Sequence, residues 1–110
     1  MTTELPHPIS SFLAAHRVRD VDAAMRYLTT DATVTDEGRT YRGSTAIRAW
    51  VQRGGSEYTY TSELTETEKV DDDHYVATHH LEGDFPGNVV DLRFQFTLRD
   101  AQITSLVITP

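Results

Sequence analysis

The sequence predicts an α+β fold, in which three helices from the amino-terminal half pack against one face of a curved antiparallel or mixed sheet. Two observations favour this class. Apolar residues at helical spacing are confined to the first half of the 110-residue chain, whereas the second half repeats apolar residues at every second position. Turn residues divide that second half into consecutive strands, which is typical of helices gathered on one side of a sheet.

Three helices are predicted from capping residues and apolar stripes. Pro8 favours a helix start, and the apolar residues that follow at offsets of three, four and seven place the first helix at residues 8–18. Asp20 can cap a short second helix whose stripe is Val21, Ala24, Met25 and Leu28. Ser44 can cap a third helix that ends at two glycines and lines one side with Ile47, Trp50 and Val51.

Short strands are predicted at residues 32–35 and 39–42, joined by a turn at 36–38. A long strand follows at 57–70, with a turn at 71–73. The last strand, 103–109, does not keep its apolar residues in one phase. It is therefore either covered on both faces or bulged.

The most regular segment is a hairpin over residues 75–98, whose two arms alternate apolar and polar residues. Pairing Phe85 with Asn88 sets His79 opposite Phe94 and makes the two apolar faces coincide. A slip by one residue would mix the faces. Because Pro86 excludes the tightest hairpin turns, we expect a wider loop or a bulge nearby.

The same register places two acidic residues, Glu82 and Asp91, opposite each other on the polar face. Facing carboxylates repel unless a cation lies between them, and Arg93 is close enough to serve. A solvated or dimer-facing charge network is the simpler interpretation.

Composition excludes several classes of protein. The chain has no cysteine and a formal net charge of −7, which opposes binding to nucleic-acid phosphates. No segment has membrane-spanning length, and because the amino end has neither basic residues nor an apolar run, we do not expect a secretory signal. Glycine-rich phosphate loops and metal-spaced motifs are absent, so no cofactor and no metal are expected. We expect one cytoplasmic domain over residues 1–110, with neither a membrane nor a nucleic acid as partner.

A curved sheet with helices across its mouth encloses a concave apolar space, which is the default ligand site. Asp36, at the end of the first strand, is the candidate general base. The alternative is a turn carboxylate that accepts hydrogen bonds from the amides of Glu37 and Gly38.

His79 is the second catalytic candidate, as proton donor or polar anchor, because it shares the apolar face of its strand. A buried structural histidine is the alternative. His80 points to the opposite face, so the two cannot chelate one metal ion. Candidate ligand contacts, each of which could instead be core, are Phe12, His16, Trp50, Tyr58, Tyr60, Phe94 and Phe96.

Four segments resemble the SnoaL-like branch of the NTF2-like superfamily. They are Ala32-Thr33-Val34-Thr35-Asp36, residues 41–48, Asp84-Phe85-Pro86-Gly87 and residues 92–98. The resemblance implies a cone of curved antiparallel sheet over three helices, assembled as a homodimer through the sheet. It implies no single activity, since isomerases, cyclases and dehydratases share the fold.

The ketosteroid isomerases of this superfamily offer the sharpest comparison, and they are the established case of an aspartate that stays neutral in order to donate a hydrogen bond. Their catalytic base stands where Asp36 stands in this sequence. Their second acid resembles Asp91, although the predicted register points that residue away from the apolar face. Their tyrosine on the first helix falls on Phe12, which has no hydroxyl.

The leading hypothesis is a domain that binds a small apolar, oxygen-bearing molecule and acts as an isomerase, cyclase or dehydratase without a cofactor. Asp36 would remove a proton next to a carbonyl, while His79, Tyr58 or Tyr60 would stabilise the enolate. The rival hypothesis is a non-catalytic ligand carrier or dimerising scaffold. A third possibility is a protein-interaction module that uses the outer sheet face.

Overall fold

The computed structural model describes residues 4–53 and 60–110. In chain order the elements are α1 (His7–Arg17), α2 (Val21–Met25), β1 (Leu28–Asp36), β2 (Arg39–Arg42), α3 (Gly43–Arg53), β3 (Tyr60–Asp71), β4 (His74–Gly83), β5 (Val89–Arg99) and β6 (Gln102–Thr109). The third helix therefore follows two strands instead of preceding the sheet. No helix in the described ranges is long and apolar enough to cross a membrane.

The described strands form one sheet in the order β2-β1-β6-β5-β4-β3. Strand β1 runs parallel to β6, and the remaining pairs are antiparallel. The sheet is thus mixed, because the first long strand and the last strand of the chain are neighbours and run in the same direction. This pairing brings the end of β1, with Asp36, beside Ile108 of β6.

Local sequence signals account for the connections. The Asp20 carboxylate accepts a hydrogen bond from the Ala23 amide at 3.2 Å, which confirms it as the cap of α2. The turn after β1 places Glu37 and Gly38 at φ of 53° and 74°, as a tight hairpin turn requires. The predicted turn at 36–38 therefore lies where the sequence placed it.

Strand β1 begins four residues earlier than predicted, and Leu28 belongs to it instead of to the second helix. The cause is distant in sequence: Leu28 pairs with Ile103 of β6, and the Thr29 and Thr104 hydroxyls hydrogen-bond at 3.3 Å. The predicted strand 57–70 is described from Tyr60 onward. Residues 57–59 and the glycines predicted to end α3 lie outside the described ranges.

The predicted hairpin register is wrong by two residues. The structure pairs His79 with Leu92 and Glu82 with Val89. The Gly83 amide donates a hydrogen bond to the Asn88 carbonyl at 2.9 Å. These two residues close a loop of four residues, 84–87, between the arms. A shift of two preserves the faces of both strands, so the predicted inner face is retained.

Strand β6 carries the irregularity that its sequence indicated. The β5–β6 register shifts between Thr97 and Leu98, so that Ser105 and Ile103 pair with these neighbours and the intervening Thr104 is extra. The bulge changes the phase of the strand. As a result Ile103, Leu106 and Ile108 are all buried.

The core lies between the helices and the inner face of the sheet. Phe12 and Phe96 are its largest fully buried side chains, and their rings meet edge to face at 6.1 Å. Ile9, Ile47 and Val51 complete the helical side of this cluster. These side chains fill only part of the space between the helices and the inner face of the sheet, and the rest of that space is a cavity.

Candidate functional site

A cavity of about 1360 Å³ lies between α1, the β1–β2 turn and the inner faces of β3 to β6. Its wall is mainly apolar, with Leu13, Leu81 and Leu92 among the lining side chains. Leu64 and Val89 also line it and are about half exposed, so they mark the side that faces solvent. The structure therefore contains the concave space that the sequence predicted.

Asp36 lies on the cavity wall at the end of β1. Its Oδ2 accepts a hydrogen bond of 3.1 Å from Nε1 of Trp50 on α3. Within the described part of the chain, this indole is the side-chain partner of the carboxylate. The bond ties the Asp36 side chain to α3 at the cavity wall.

An aromatic stack extends from Trp50 into the cavity wall. The His16 ring lies 4.7 Å from the Trp50 ring at an interplanar angle of 9°. On its other side the Phe12 ring lies 5.8 Å away at 3°. Trp50 therefore connects two polar groups of the cavity, Asp36 through its nitrogen and His16 through its ring face.

His79 lines the cavity from β4, where its ring lies 4.6 Å from that of Phe94. Phe94 is 8% exposed, so the two residues face inward as predicted. The Nδ1 atoms of His79 and His16 are both buried, and neither has a hydrogen-bond partner within residues 4–53 and 60–110. Buried polar atoms without partners are uncommon in native proteins.

Burial keeps both histidines neutral at physiological pH. It lowers the pKa of His16 to about 4, and the nearby charges of His79 and Arg19 act in the same direction. Burial also lowers the pKa of His79, against a smaller opposing effect of the Ala77 carbonyl. A neutral imidazole offers one N–H donor and one acceptor nitrogen. The two histidines therefore supply uncharged hydrogen-bonding groups to the cavity.

The other predicted contacts divide into two groups. Trp50, Tyr60 and Phe94 line the cavity together with the two histidines. Phe12 and Phe96 lie behind the wall, because their rings pack against each other in the core. The predicted contact Tyr58 lies outside the described residues.

Sequence reasoning missed the basic residues beside this wall. Arg17 and Arg19, at the end of α1, are exposed and line the cavity. The signal for Arg17 was available, since Leu13, His16 and Arg17 fall on one side of a helix at offsets of three and four. Arg19 follows the helix in a left-handed backbone conformation, with φ of 57°, which the sequence does not indicate.

The outer face of the sheet differs from the prediction. Asp91 is paired with His80, not with Glu82, because of the two-residue change in register. His80 Nδ1 lies 2.7 Å from the Asp91 carboxylate, and its Nε2 lies 3.7 Å from that of Glu82. Arg93 is opposite Thr78. The second carboxylate suggested by the resemblance thus binds a histidine outside the cavity.

The arrangement of possible metal ligands can be compared with that of a metal site. Across the part of the chain that the structure describes, no group of three or more histidine or carboxylate side chains is placed to hold a metal ion.

The sequence pattern of the SnoaL-like domain matches residues 9–106. The chain belongs to the SnoaL-like domain family. No curated protein matches it in sequence.

Solved structures share the fold of this chain. Protein SMa1630 of Sinorhizobium meliloti, provisionally named a polyketide cyclase, is 32% identical, with 96% of this chain and 95% of that chain covered and a TM-score of 0.86. A protein of Catenulispora acidiphila with a ketosteroid isomerase-like fold, in complex with trimethylamine, is 20% identical, with coverage of 97% and 87% and a TM-score of 0.80. RV0760c of Mycobacterium tuberculosis, in complex with estradiol-17β-hemisuccinate, is 15% identical, with coverage of 94% and 90% and a TM-score of 0.74.

Proposed function

We propose that this SnoaL-like domain binds a small, mainly apolar ketone or related carbonyl compound and catalyses proton transfer next to the carbonyl without a cofactor. The observation that carries this proposal is the position of Asp36, whose carboxylate lines an apolar cavity and is oriented by the Trp50 indole. A carboxylate in such a site can act as a general base, provided that the substrate C–H group reaches it.

The proposed step moves a proton from a substrate carbon to Asp36. The Asp36 carboxylate takes a proton from the carbon beside the carbonyl, the C–H electron pair forms a C=C bond, and negative charge develops on oxygen. His79, or the hydroxyl of Tyr58 or Tyr60, donates a hydrogen bond to that oxygen. Where the enolate is conjugated with a further C=C bond, return of the proton from Asp36 to the far carbon of that bond would give isomerisation. Attack of the enolate carbon on a second carbonyl of the same molecule would form a C–C bond and an alkoxide, which would take the proton from Asp36 and complete a cyclisation.

The size and chemistry of the cavity support an apolar ligand larger than a simple metabolite. Its volume of about 1360 Å³ is bounded by leucine, tryptophan and phenylalanine side chains. A related fold accommodates a steroid ester, as the complex of the Mycobacterium tuberculosis protein illustrates. We therefore favour a substrate with a fused or substituted ring system.

The test is hydrogen exchange of 2-tetralone, a bicyclic ketone, followed by proton NMR in D2O. Wild-type protein should accelerate loss of the protons next to the carbonyl above the buffer rate. Asp36→Asn should reduce this acceleration by about 100-fold or more, which is the usual contribution of general-base catalysis. The control is Asp31→Asn, a change on the same strand at an exposed carboxylate bonded to Arg99.

Unchanged exchange in Asp36→Asn, or equal losses in both variants, would contradict the role of Asp36. The second candidate function is binding without chemistry, and one observation favours it: Phe12 is fully buried in the core and supplies no hydroxyl to the cavity. In that case 2-tetralone would bind and its exchange would stay at the buffer rate. The homodimer through the sheet stays a prediction, and sedimentation equilibrium would test whether the chain forms a dimer.

A further inference from the structure

His16 occupies a place in the cavity that packing alone does not require. It comes from α1, its ring stacks on those of Phe12 and Trp50, and it lines the same cavity as His79. Its Nδ1 is buried and, within the described ranges, has no hydrogen-bond partner. A leucine or phenylalanine would fill the same stack without an unpaired nitrogen.

The buried nitrogen determines which ring atom carries the proton. A neutral imidazole has one N–H and one unprotonated nitrogen, and among backbone groups an unpaired buried N–H is rarer than an unpaired buried acceptor. In His16 the proton is therefore better placed on Nε2. Nε2 is not among the buried unpaired polar atoms of the described residues, and the His16 residue lines the cavity, so a donor at Nε2 can serve a ligand there.

We propose that His16, through Nε2–H, is a second hydrogen-bond donor to the carbonyl oxygen of the substrate, acting with His79 across the cavity. The inference rests on the proposed function, because it assigns the oxygen-binding side of the same site. It also narrows the ligand class to ring compounds that hold an enolisable carbonyl or the corresponding hydroxyl beside the two histidines.

Neutral donors suit this task. The developing oxygen charge is stabilised by a donor that is already in position, and a neutral imidazole donates without transferring its proton. Both residues line the same cavity, His79 from β4 and His16 from α1. Asp36 is reached from His16 through the single indole of Trp50.

Two probes separate hydrogen bonding from apolar contact. The compound 2-naphthol is the aromatic analogue of the 2-tetralone enol, and 2-methylnaphthalene replaces its hydroxyl by a methyl group. Isothermal titration at neutral pH should show that wild-type protein prefers 2-naphthol. His16→Phe keeps a stacked ring but removes the donor, so it should reduce this preference by about fivefold, as expected for one hydrogen bond.

His80→Phe is the matched control, because it makes the same change on the outer face of the sheet and should leave the preference unchanged. Equal weakening of both probes by His16→Phe would overturn the proposal, since the ring would then contribute packing alone. Equal affinity of the wild type for the two probes, or binding of neither, would also overturn it.

A second measurement does not depend on the variant. Nitrogen-15 NMR of histidine-labelled wild-type protein identifies the protonated ring atom, and the proposal requires Nε2–H at His16. Protonation at Nδ1 would contradict it. Neither experiment involves proton removal by Asp36, so a failure of the general base and a failure of the His16 donor give different results.

Discussion

Two consecutive histidines on β4 have opposite surroundings. His79 points into the cavity beside Phe94, and burial lowers its pKa. His80 points to the outer face, where its hydrogen bond with the Asp91 carboxylate chiefly raises its pKa. Alternation along one strand therefore gives one neutral group for a ligand and one group that readily takes a proton in an exposed ion pair. Because both residues are histidines, the opposite directions of their pKa shifts come from the face of the sheet on which each side chain lies.

The largest effect of the contrast between the two faces is expected in how the free energy of unfolding depends on pH. The unfolded state takes a proton on His16 near pH 6.5, but the folded state does so only near pH 4. As pH falls through that window, the unfolded state binds more protons, so stability is lost. His16 should cost about 3 kcal/mol of unfolding free energy by the lower end of the window.

Chemical denaturation of wild type and His16→Phe at several pH values measures this cost. The variant should lose less stability on acidification. His80 should act with the opposite sign: its raised pKa stabilises the folded state below pH 6.5, and that stabilisation is lost as pH rises through the folded value. His80→Gln should therefore be relatively weaker in acid, and parallel curves for all three proteins would contradict the contrast.

A smaller effect is expected where the inner face contacts α3. Trp50→Phe keeps an aromatic ring against His16 but removes the donor to Asp36. Loss of a hydrogen bond to a partly buried carboxylate should lower the unfolding free energy by about 1–2 kcal/mol. The control is Trp50→Phe in an Asp36→Ala background, which lacks the acceptor, so that less should be lost. Equal losses in both backgrounds would show that the bond contributes nothing.

The smallest effect is expected outside the cavity. Asp91→Asn removes the carboxylate that raises the pKa of His80, so that pKa should fall while that of His79 stays unchanged. Proton NMR titration of the imidazole C–H signals gives both values in one experiment. A matching change at His79 would mean that the two faces of the sheet are coupled, against the separation that their surroundings indicate.

The sequence alone predicted the faces of the long hairpin but not its register. Period-two alternation is unchanged when one arm moves by two residues, so His79 faces inward in either pairing. The four-residue loop around Pro86 decides between them, and its hydrogen bonds are not encoded in the apolar pattern. The Glu82–Asp91 pair was lost for this reason.

For the candidate site as well, the sequence predicted which strand residues face the cavity but not which residues from different elements contact one another. Strand position placed Asp36 and His79 on the cavity wall, and both line it. The stack of His16 on Trp50 depends on how α1 meets α3, which local spacing cannot give. Phe12 was proposed as a ligand contact because helical spacing identifies an apolar face without telling core from cavity.

The inner cavity as the functional site is tested most directly by a crystal structure of the protein with 2-tetralone bound. We expect the ketone to lie in this cavity, with a carbon beside the carbonyl facing the Asp36 carboxylate and the oxygen facing His79 and His16. A ligand bound on the outer face beside His80, or one whose carbonyl points away from both histidines, would contradict this assignment.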